Sequence, residues 1–276
     1  MSVDAVAHAP PRRRTFIQRH EARLLSIVGV VGFLCLWELV VRIGLVDESV
    51  ASSPTAIFEA ARELAASGRL WQDTRITLLE FGLGFALALV FGVLAGVVAG
   101  VSRRGSYLIN PWLEVLYATP LIALTPMFIL WFGIGTTFKV VLGALVGLFP
   151  IAVNVRAGVQ ATEASLVTVA NSFGASRAKA FLSVVVPGTV PYLFSGIHQA
   201  AGRVLVAVVI GELLASNQGL GFMIAFAGQT FNIPNLMVAI VVLAAIGTLT
   251  AHLFVALEKR FARWRPVQSA ERRNNP

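Results

Sequence analysis

Thr162–Pro191 reads TEASLVTVANSFGASRAKAFLSVVVPGTVP, and the fold turns on how this stretch is understood. It is only partly apolar, and it sits between two long apolar runs. Thr162 is placed to cap a first short helix that continues to about Phe173. Gly174 fits the left-handed position just past a helix end, where a side chain is strained. Ser176 is placed to cap a second helix, and Pro187, which lacks an N–H, is expected to end it. A plain connection needs only a few residues. A helix-turn-helix here is either a structured surface loop or a rigid knob that passes movement from a soluble partner to the runs beside it.

Those runs belong to a wider pattern. The chain is 57% hydrophobic and 13% charged, whereas a soluble domain is about a quarter charged. A helix that crosses the bilayer core needs about 20 mostly apolar residues. Six stretches qualify: Leu24–Val46, Ile76–Val101, Pro111–Ile134, Phe138–Val159, Pro191–Ala215 and Leu236–Leu257. Lipid does not tolerate an open strand edge, so all six are predicted helices. The expected fold is all-α and integral to a membrane. One domain spans residues 24–258, with tails at 1–23 and 259–276 and the loop 162–190 between spans four and five.

Basic residues set the orientation. With the N-terminus in the cytoplasm, the cytoplasmic segments hold Arg12, Arg13, Arg14, Arg19, Arg23, Arg103, Arg104, Arg156, Arg177, Lys179, Lys259, Arg260, Arg263, Arg265, Arg272 and Arg273, which is 16 of the 22 positives. Gln218–Asn235, placed outside, has none. Both termini and the loop 162–190 are then cytoplasmic. The net charge of +8 follows this topology and does not call for nucleic acid. The tails, about Met1–Arg23 and Val267–Pro276, are polar and expected to be disordered. Arg13-Arg14-Thr15-Phe16-Ile17 resembles a twin-arginine export signal. The apolar stretch after it contains Trp37, Glu38 and Arg42 and no clear small-residue cleavage site, so the segment reads as a basic anchor. Cys35 is the single cysteine, so no intrachain disulfide forms.

Ser53-Pro54 opens a helix in the first external loop, with Ile57, Phe58, Ala61, Leu64 and Ala65 on one face, which suggests a short interfacial helix. Gly92, Gly96 and Gly100 in span two, and Gly143 and Gly147 in span four, let helices approach closely, either within one chain or at a dimer seam. Pro120 and Pro126 are expected to kink span three and turn Thr119, Thr125 and Met127 toward a water-filled path. Ionisable groups in a span default to functional hypotheses. Glu38 and Arg42, four apart, read as a structural pair. Arg203 has no acid within a turn and either faces the path as an anion-attracting cation, or snorkels, or pairs with another helix; Gln199 lies one turn before it. Glu212 is expected to gate the path, contact an external partner or reach interfacial water. Asn154 and His198 read as interhelical hydrogen-bonders, and Glu80 and Glu114 as reaching headgroups or water.

With these residues in place, the loop 162–190 resembles the coupling loop of permeases from binding-protein-dependent ABC importers. Their pattern is Glu-Ala-Ala, three residues, Gly, nine residues and Ile-x-Leu-Pro. The chain has Thr168-Val169-Ala170, Gly174 and Val184-Val185-Val186-Pro187 at the same spacing, with Thr168 where the family usually has Glu. Pro120–Pro126 leading into Ile129–Gly135, Gly211-Glu212-Leu213-Leu214 leading into Gly219-Leu220-Gly221, and Ser53-Pro54 are similar to the nitrate, sulfonate and taurine branch. The resemblance runs from about residue 30 to 265.

The resemblance implies a type I ABC importer permease fold of six spans in a bacterial plasma membrane. It implies ATPase contact through Thr168, Val169, Ala170, Gly174, Ala175, Ser176 and Pro187; the path residues expected from the kink and the intramembrane polar groups are Thr119, Thr125, Gln199, Arg203 and Glu212. The implied partners are two ATPase subunits, an extracytoplasmic solute-binding protein, a second permease copy and lipid. The implied cargo is a small, anionic solute, with nitrate, taurine, alkanesulfonates, aromatic acids and pyrimidine precursors all open. Neither a cofactor nor a metal is implied. The chain carries no P-loop, since none of Lys139, Lys179 and Lys259 follows a glycine, so the motor is another chain. An ion-coupled secondary transporter is the main rival, but no internal repeat is evident. An intramembrane enzyme would need a motif such as G-x-S-x-G or H-E-x-x-H, and His8, His20, His198 and His252 have no metal-ligand spacing. A plain scaffold does not explain the loop's spacing.

Overall fold

The computed structural model describes residues 16–46, 51–162 and 164–261, and every regular element among them is helical. The tail through residue 15 with Arg13-Arg14, Glu163, and residues 262–276 lie outside the described residues. The helices are α1 (Phe16–Arg42), α2 (Pro54–Ala66), α3 (Arg69–Val101), α4 (Arg103–Ala118), α5 (Thr125–Phe132), α6 (Thr136–Gln160), α7 (Ala164–Ser172), α8 (Arg177–Ala180), α9 (Val186–Ala215), α10 (Leu220–Gln229) and α11 (Ile233–Phe261).

Six runs are long and apolar enough to cross a bilayer, counting the bent pair of α4 and Leu121–Phe132 as one. The others are Leu24–Arg42, α3, α6, Arg177–Ala215 and α11. The predicted six-span architecture is therefore present, with shifted boundaries. Span two starts at Arg69, not Ile76, and span three at Arg103, not Pro111. The second shift has a local cause. Ser102 accepts the Gly105 N–H at 2.9 Å and caps α4 at once, so Arg103 and Arg104 form a first helical turn and not a loop.

At the centre α3, α6 and α9 pack tightly. A Cβ added to Gly92, Gly96 or Gly100 would lie 2.8 Å from Ile151, 2.7 Å from Val155 and 2.7 Å from Val159 respectively. Both sets of residues advance together, so α3 and α6 run parallel, as spans two and four must. Gly147 receives Val204, while Gly158 receives Thr189 and Tyr192, so α9 runs antiparallel to α6. Apolar side chains gain little by leaving lipid for another helix, and close approach decides the packing. The glycine stripes thus serve packing within one chain. The dimer-seam reading fails for them because α6 and α9 already fill the notches.

Nearer the edge, Ser53 caps α2 as expected, accepting the Ala56 N–H at 3.3 Å. Ile57, Ala60, Ala61 and Leu64 pack on α10 and α11, and Phe58 points away. Glu38 pairs with Arg42 at 2.6 Å and accepts from the Thr55 N–H (3.1 Å) and hydroxyl (2.8 Å), which ties α1 to the start of α2. His198 of α9 faces Glu258 of α11 at 4.0 Å, beyond hydrogen-bond reach, and its Nε2 has no hydrogen-bond partner among the described residues, so the expected interhelical hydrogen bond is not made. Nor does Asn154 make one: its amide donates to the Pro150 carbonyl of its own helix at 2.7 Å.

Candidate functional site

Span three is broken by 82° between Ala118 and Leu121. The residue before a proline is pushed out of the α region, and Thr119 accordingly adopts φ −79°, ψ 130°. Its N–H and hydroxyl both go to the Val115 carbonyl, at 3.0 and 2.8 Å, and close α4. A short 3₁₀ turn, Leu121–Leu124, then leads into α5. The break opens a cavity of about 360 Å³, whose lining includes Tyr117, Thr119, Pro120, Ile122, Phe149 and Arg203.

Arg203 reaches into this apolar cavity from α9. Its guanidinium lies 5.3 Å from the Tyr117 ring centroid and donates to the Tyr117 hydroxyl at 3.4 Å. A cation over an aromatic face is attracted by the ring quadrupole. None of the described residues that line the cavity is acidic. A guanidinium has five N–H donors, so the arginine keeps donors in excess of this one bond. Such a site can hold an anion with an apolar body.

Of the residues expected on the path, Thr119 and Arg203 meet here. Gln199 is exposed on α9 and does not line the cavity, and neither does the exposed Met127. Thr125 is fully buried, and its hydroxyl donates to the Ile122 carbonyl at 2.5 Å, closing the 3₁₀ turn. Tyr117 was not foreseen. It contacts a residue 86 positions away, and no local spacing announces that.

Glu212 lies elsewhere. It is fully buried, so the expectations of interfacial water and of a free gating side chain do not describe it. Its carboxylate accepts the Gly221 N–H at 2.7 Å and the Thr77 hydroxyl at 2.8 Å. Thr77 in turn accepts the Leu220 N–H at 2.9 Å, and Asp73 accepts the Gly219 N–H at 2.8 Å. The first three N–H groups at the start of α10 have no intrahelical partners. Three side chains from α3 and α9 satisfy them. This explains the Gly219-Leu220-Gly221 sequence. Gly219 has φ +104°, and a Cβ on either glycine would collide with the Glu212 side chain.

The elbow between spans four and five forms nearly as read. Gly174 has φ +80°, its N–H donates to the Asn171 carbonyl at 2.9 Å, and the Ala175 N–H donates to Ala170 at 3.1 Å. Those two bonds make a Schellman end to α7. Ser176 caps α8, accepting the Lys179 N–H at 3.3 Å. The hydroxyl of Thr162 donates to the Gly158 carbonyl at the end of α6, at 3.2 Å, and its expected cap of α7 runs across residue 163, outside the described residues. Thr168 and Val169 are exposed, Ala170 and Ala175 half-buried. Phe173 at the tip is 88% exposed.

Pro187 does not end the second helix. Phe181–Val185 form a π turn, with the Val186 N–H reaching back to the Phe181 carbonyl, and the helix continues through Pro187 into α9. The wider turn takes up the lost proline N–H and the crowding of its ring, which would otherwise break the helix. Arg177–Ala215 is consequently a single helical run.

Residues 88–264 match the sequence family described as binding-protein-dependent transport system inner membrane component. The putative aliphatic sulfonates transport permease protein SsuC of Escherichia coli is 32% identical over 86% of this chain and 90% of its own length. The taurine transport system permease protein TauC of the same organism is 30% identical over 87% and 89%. In fold, the chain is similar to a subunit of the MetNI methionine ABC transporter in an inward-facing conformation, with a TM-score of 0.59 at 17% identity over 67% of this chain and 93% of that one.

Proposed function

The chain belongs to the binding-protein-dependent transport system inner membrane components and is an ABC importer permease; on that premise we propose that it carries a small organic or inorganic anion inward at the expense of ATP hydrolysed by a separate subunit. The cargo class is a sulfonate, taurine, nitrate or a related acid. Two copies pair with two ATPase subunits at the elbow and with a solute-binding protein at the opposite face. The orientation that supports this puts both termini and the elbow in the cytoplasm, where basic residues concentrate.

One observation carries the reading. The run Arg177–Ala215 joins the elbow to the cavity without a break, so Arg203 sits on the same rod as Arg177 and Lys179, which Ser176 caps. At 1.5 Å per residue, Arg177 and Arg203 are about 39 Å apart along it. A push on the elbow reaches the cavity as movement of Arg203 against Tyr117. The exposed Phe173, with Leu166 and Val169 behind it, presents apolar surface where a partner is expected to dock. The chain supplies path and lever, and the nucleotide chemistry belongs to the partner.

Reconstitution in proteoliposomes with the ATPase and the binding protein tests this. Uptake of an alkanesulfonate or taurine is expected to require internal ATP and to ignore ion gradients. Uptake that survives ATP depletion and follows a proton or sodium gradient would establish the ion-coupled rival.

A further inference from the structure

Transport as described leaves one cluster without a role, the buried charges at the end of the bundle away from the elbow. Lys139 on the first turn of α6 is 2% exposed and Glu80 of α3 is fully buried. They form an ion pair at 2.5 Å, and Lys139 also donates to the Ser216 hydroxyl at 3.1 Å. Thr136 donates to the same Glu80 oxygen at 3.0 Å. The Lys139 stem lies across Gly211, where an added Cβ would come within 2.8 Å of it. Asp73 has the half-exposed Arg69 at 3.7 Å. Together with the Thr77 and Glu212 bonds to the α10 N-terminus, these contacts join α3, α6, α9 and the 216–221 loop.

We propose that Asp73, Thr77, Glu80, Lys139 and Glu212 are positioning residues for transport. They hold the outer ends of α3, α6 and α9 and the start of α10 as one unit. The path then opens by movement of that unit about the Thr119–Pro120 break, and α10 does not swing free as a gate. The inference rests on the transporter reading. Its argument is energetic: detaching the loop would strip three N–H groups of α10 and several buried charges of their partners in low-dielectric surroundings, where unpaired polar groups are costly. A hinge at the Thr119–Pro120 break, where the span is already bent by 82° beside a cavity, breaks none of these bonds. Conversely, removal of one partner from a buried ion pair leaves an uncompensated charge, while replacement of both by apolar groups is often tolerated.

The test uses the full transporter in proteoliposomes, in a Cys35→Ser background. Gln72 of α3 and Gln218 of the loop line one cavity of about 540 Å³ beside the cluster; only the main chain of Gln218 joins its bonds, through the Ser216 hydroxyl, and a cysteine keeps that main chain. Gln72→Cys with Gln218→Cys is cross-linked with a short bis-maleimide and uptake is measured. Uptake within about twofold of the uncross-linked sample is expected. Loss of more than tenfold on cross-linking would show that the seam must open and overturn the proposal. In parallel, Lys139→Met is expected to cut uptake about tenfold or more, and Lys139→Met with Glu80→Met to restore most of it. Wild-type uptake in Lys139→Met would also overturn the proposal. Uptake by the Cys35→Ser parent is the control on the transporter reading itself. Its failure there would count against that reading and not against the cluster.

Discussion

Replacing Gly174 by valine should uncouple transport from ATP hydrolysis without blocking insertion. Gly174 has φ +80°, and nothing lies within 4 Å of the place a Cβ would occupy. The cost of a side chain there is thus conformational and not a clash. An L residue in the left-handed region costs about 1–2 kcal/mol, with asparagine at the low end and β-branched residues at or above the high end. Since 1.4 kcal/mol is tenfold at room temperature, a formed elbow that competes with a frayed one loses roughly fivefold for Gly174→Ala and about thirtyfold for Gly174→Val. Fraying gives up the Gly174–Asn171 and Ala175–Ala170 bonds and turns Phe173 away from any docked partner. The assay is stimulation of ATPase activity by substrate-loaded binding protein, with uptake and membrane content measured alongside. The expected order of impairment is Asn, Ala, Val, at equal membrane content. Equal impairment by all three, or full stimulation in Gly174→Val, would refute the conformational argument.

Two other substitutions test the cavity and the core. Arg203→Ala is expected to raise the apparent Km for an anionic cargo about ten- to a hundredfold, from a charge-assisted contact of roughly 1.5–3 kcal/mol, with Arg203→Lys intermediate; an unchanged Km would remove Arg203 from the path. Gly96→Leu places a side chain where Val155 and the Ala152 carbonyl already sit. It should separate α3 from α6 and lower the thermal unfolding midpoint of the detergent-solubilised protein, with a cost of about 1–3 kcal/mol or more, whereas a midpoint equal to that of the parent would contradict the packing described.

The spans could be read from sequence because membrane insertion is decided by apolar length, a local property. The elbow could be read because Gly174 and Ser176 act within one turn of themselves. Lys139 and Glu80 could not. Each stands within about three turns of the end of its helix that lies away from the elbow, and a charge there ordinarily reaches water. Their burial depends on a pairing 59 positions apart and on the notch at Gly211. Glu212 misled for the same reason: its partners are the Thr77 hydroxyl, 135 positions away, and the Gly221 N–H at the start of α10, a helix that local spacing does not announce. Pro187 reads as a stop because the rule concerns α-helical bonding, and the π turn before it changes that bonding.

The same geometry gives Tyr117 a role opposite to that of a binding residue. Its ring holds the Arg203 guanidinium at 5.3 Å, and cation–π attraction fades beyond about 6 Å. A slide of α9 by about 3 Å along its axis takes the pair past that reach. An anion competing for the guanidinium has to overcome the ring, which contributes about 1 kcal/mol at a partly exposed site. Tyr117→Ala therefore frees the arginine before any movement occurs. It should tighten the cargo's apparent affinity roughly fivefold while weakening the coupling of uptake to ATP hydrolysis. A looser affinity in Tyr117→Ala, measured as Km for uptake, would place the tyrosine in the cradle that holds the cargo and would refute its assignment as the resting partner of Arg203.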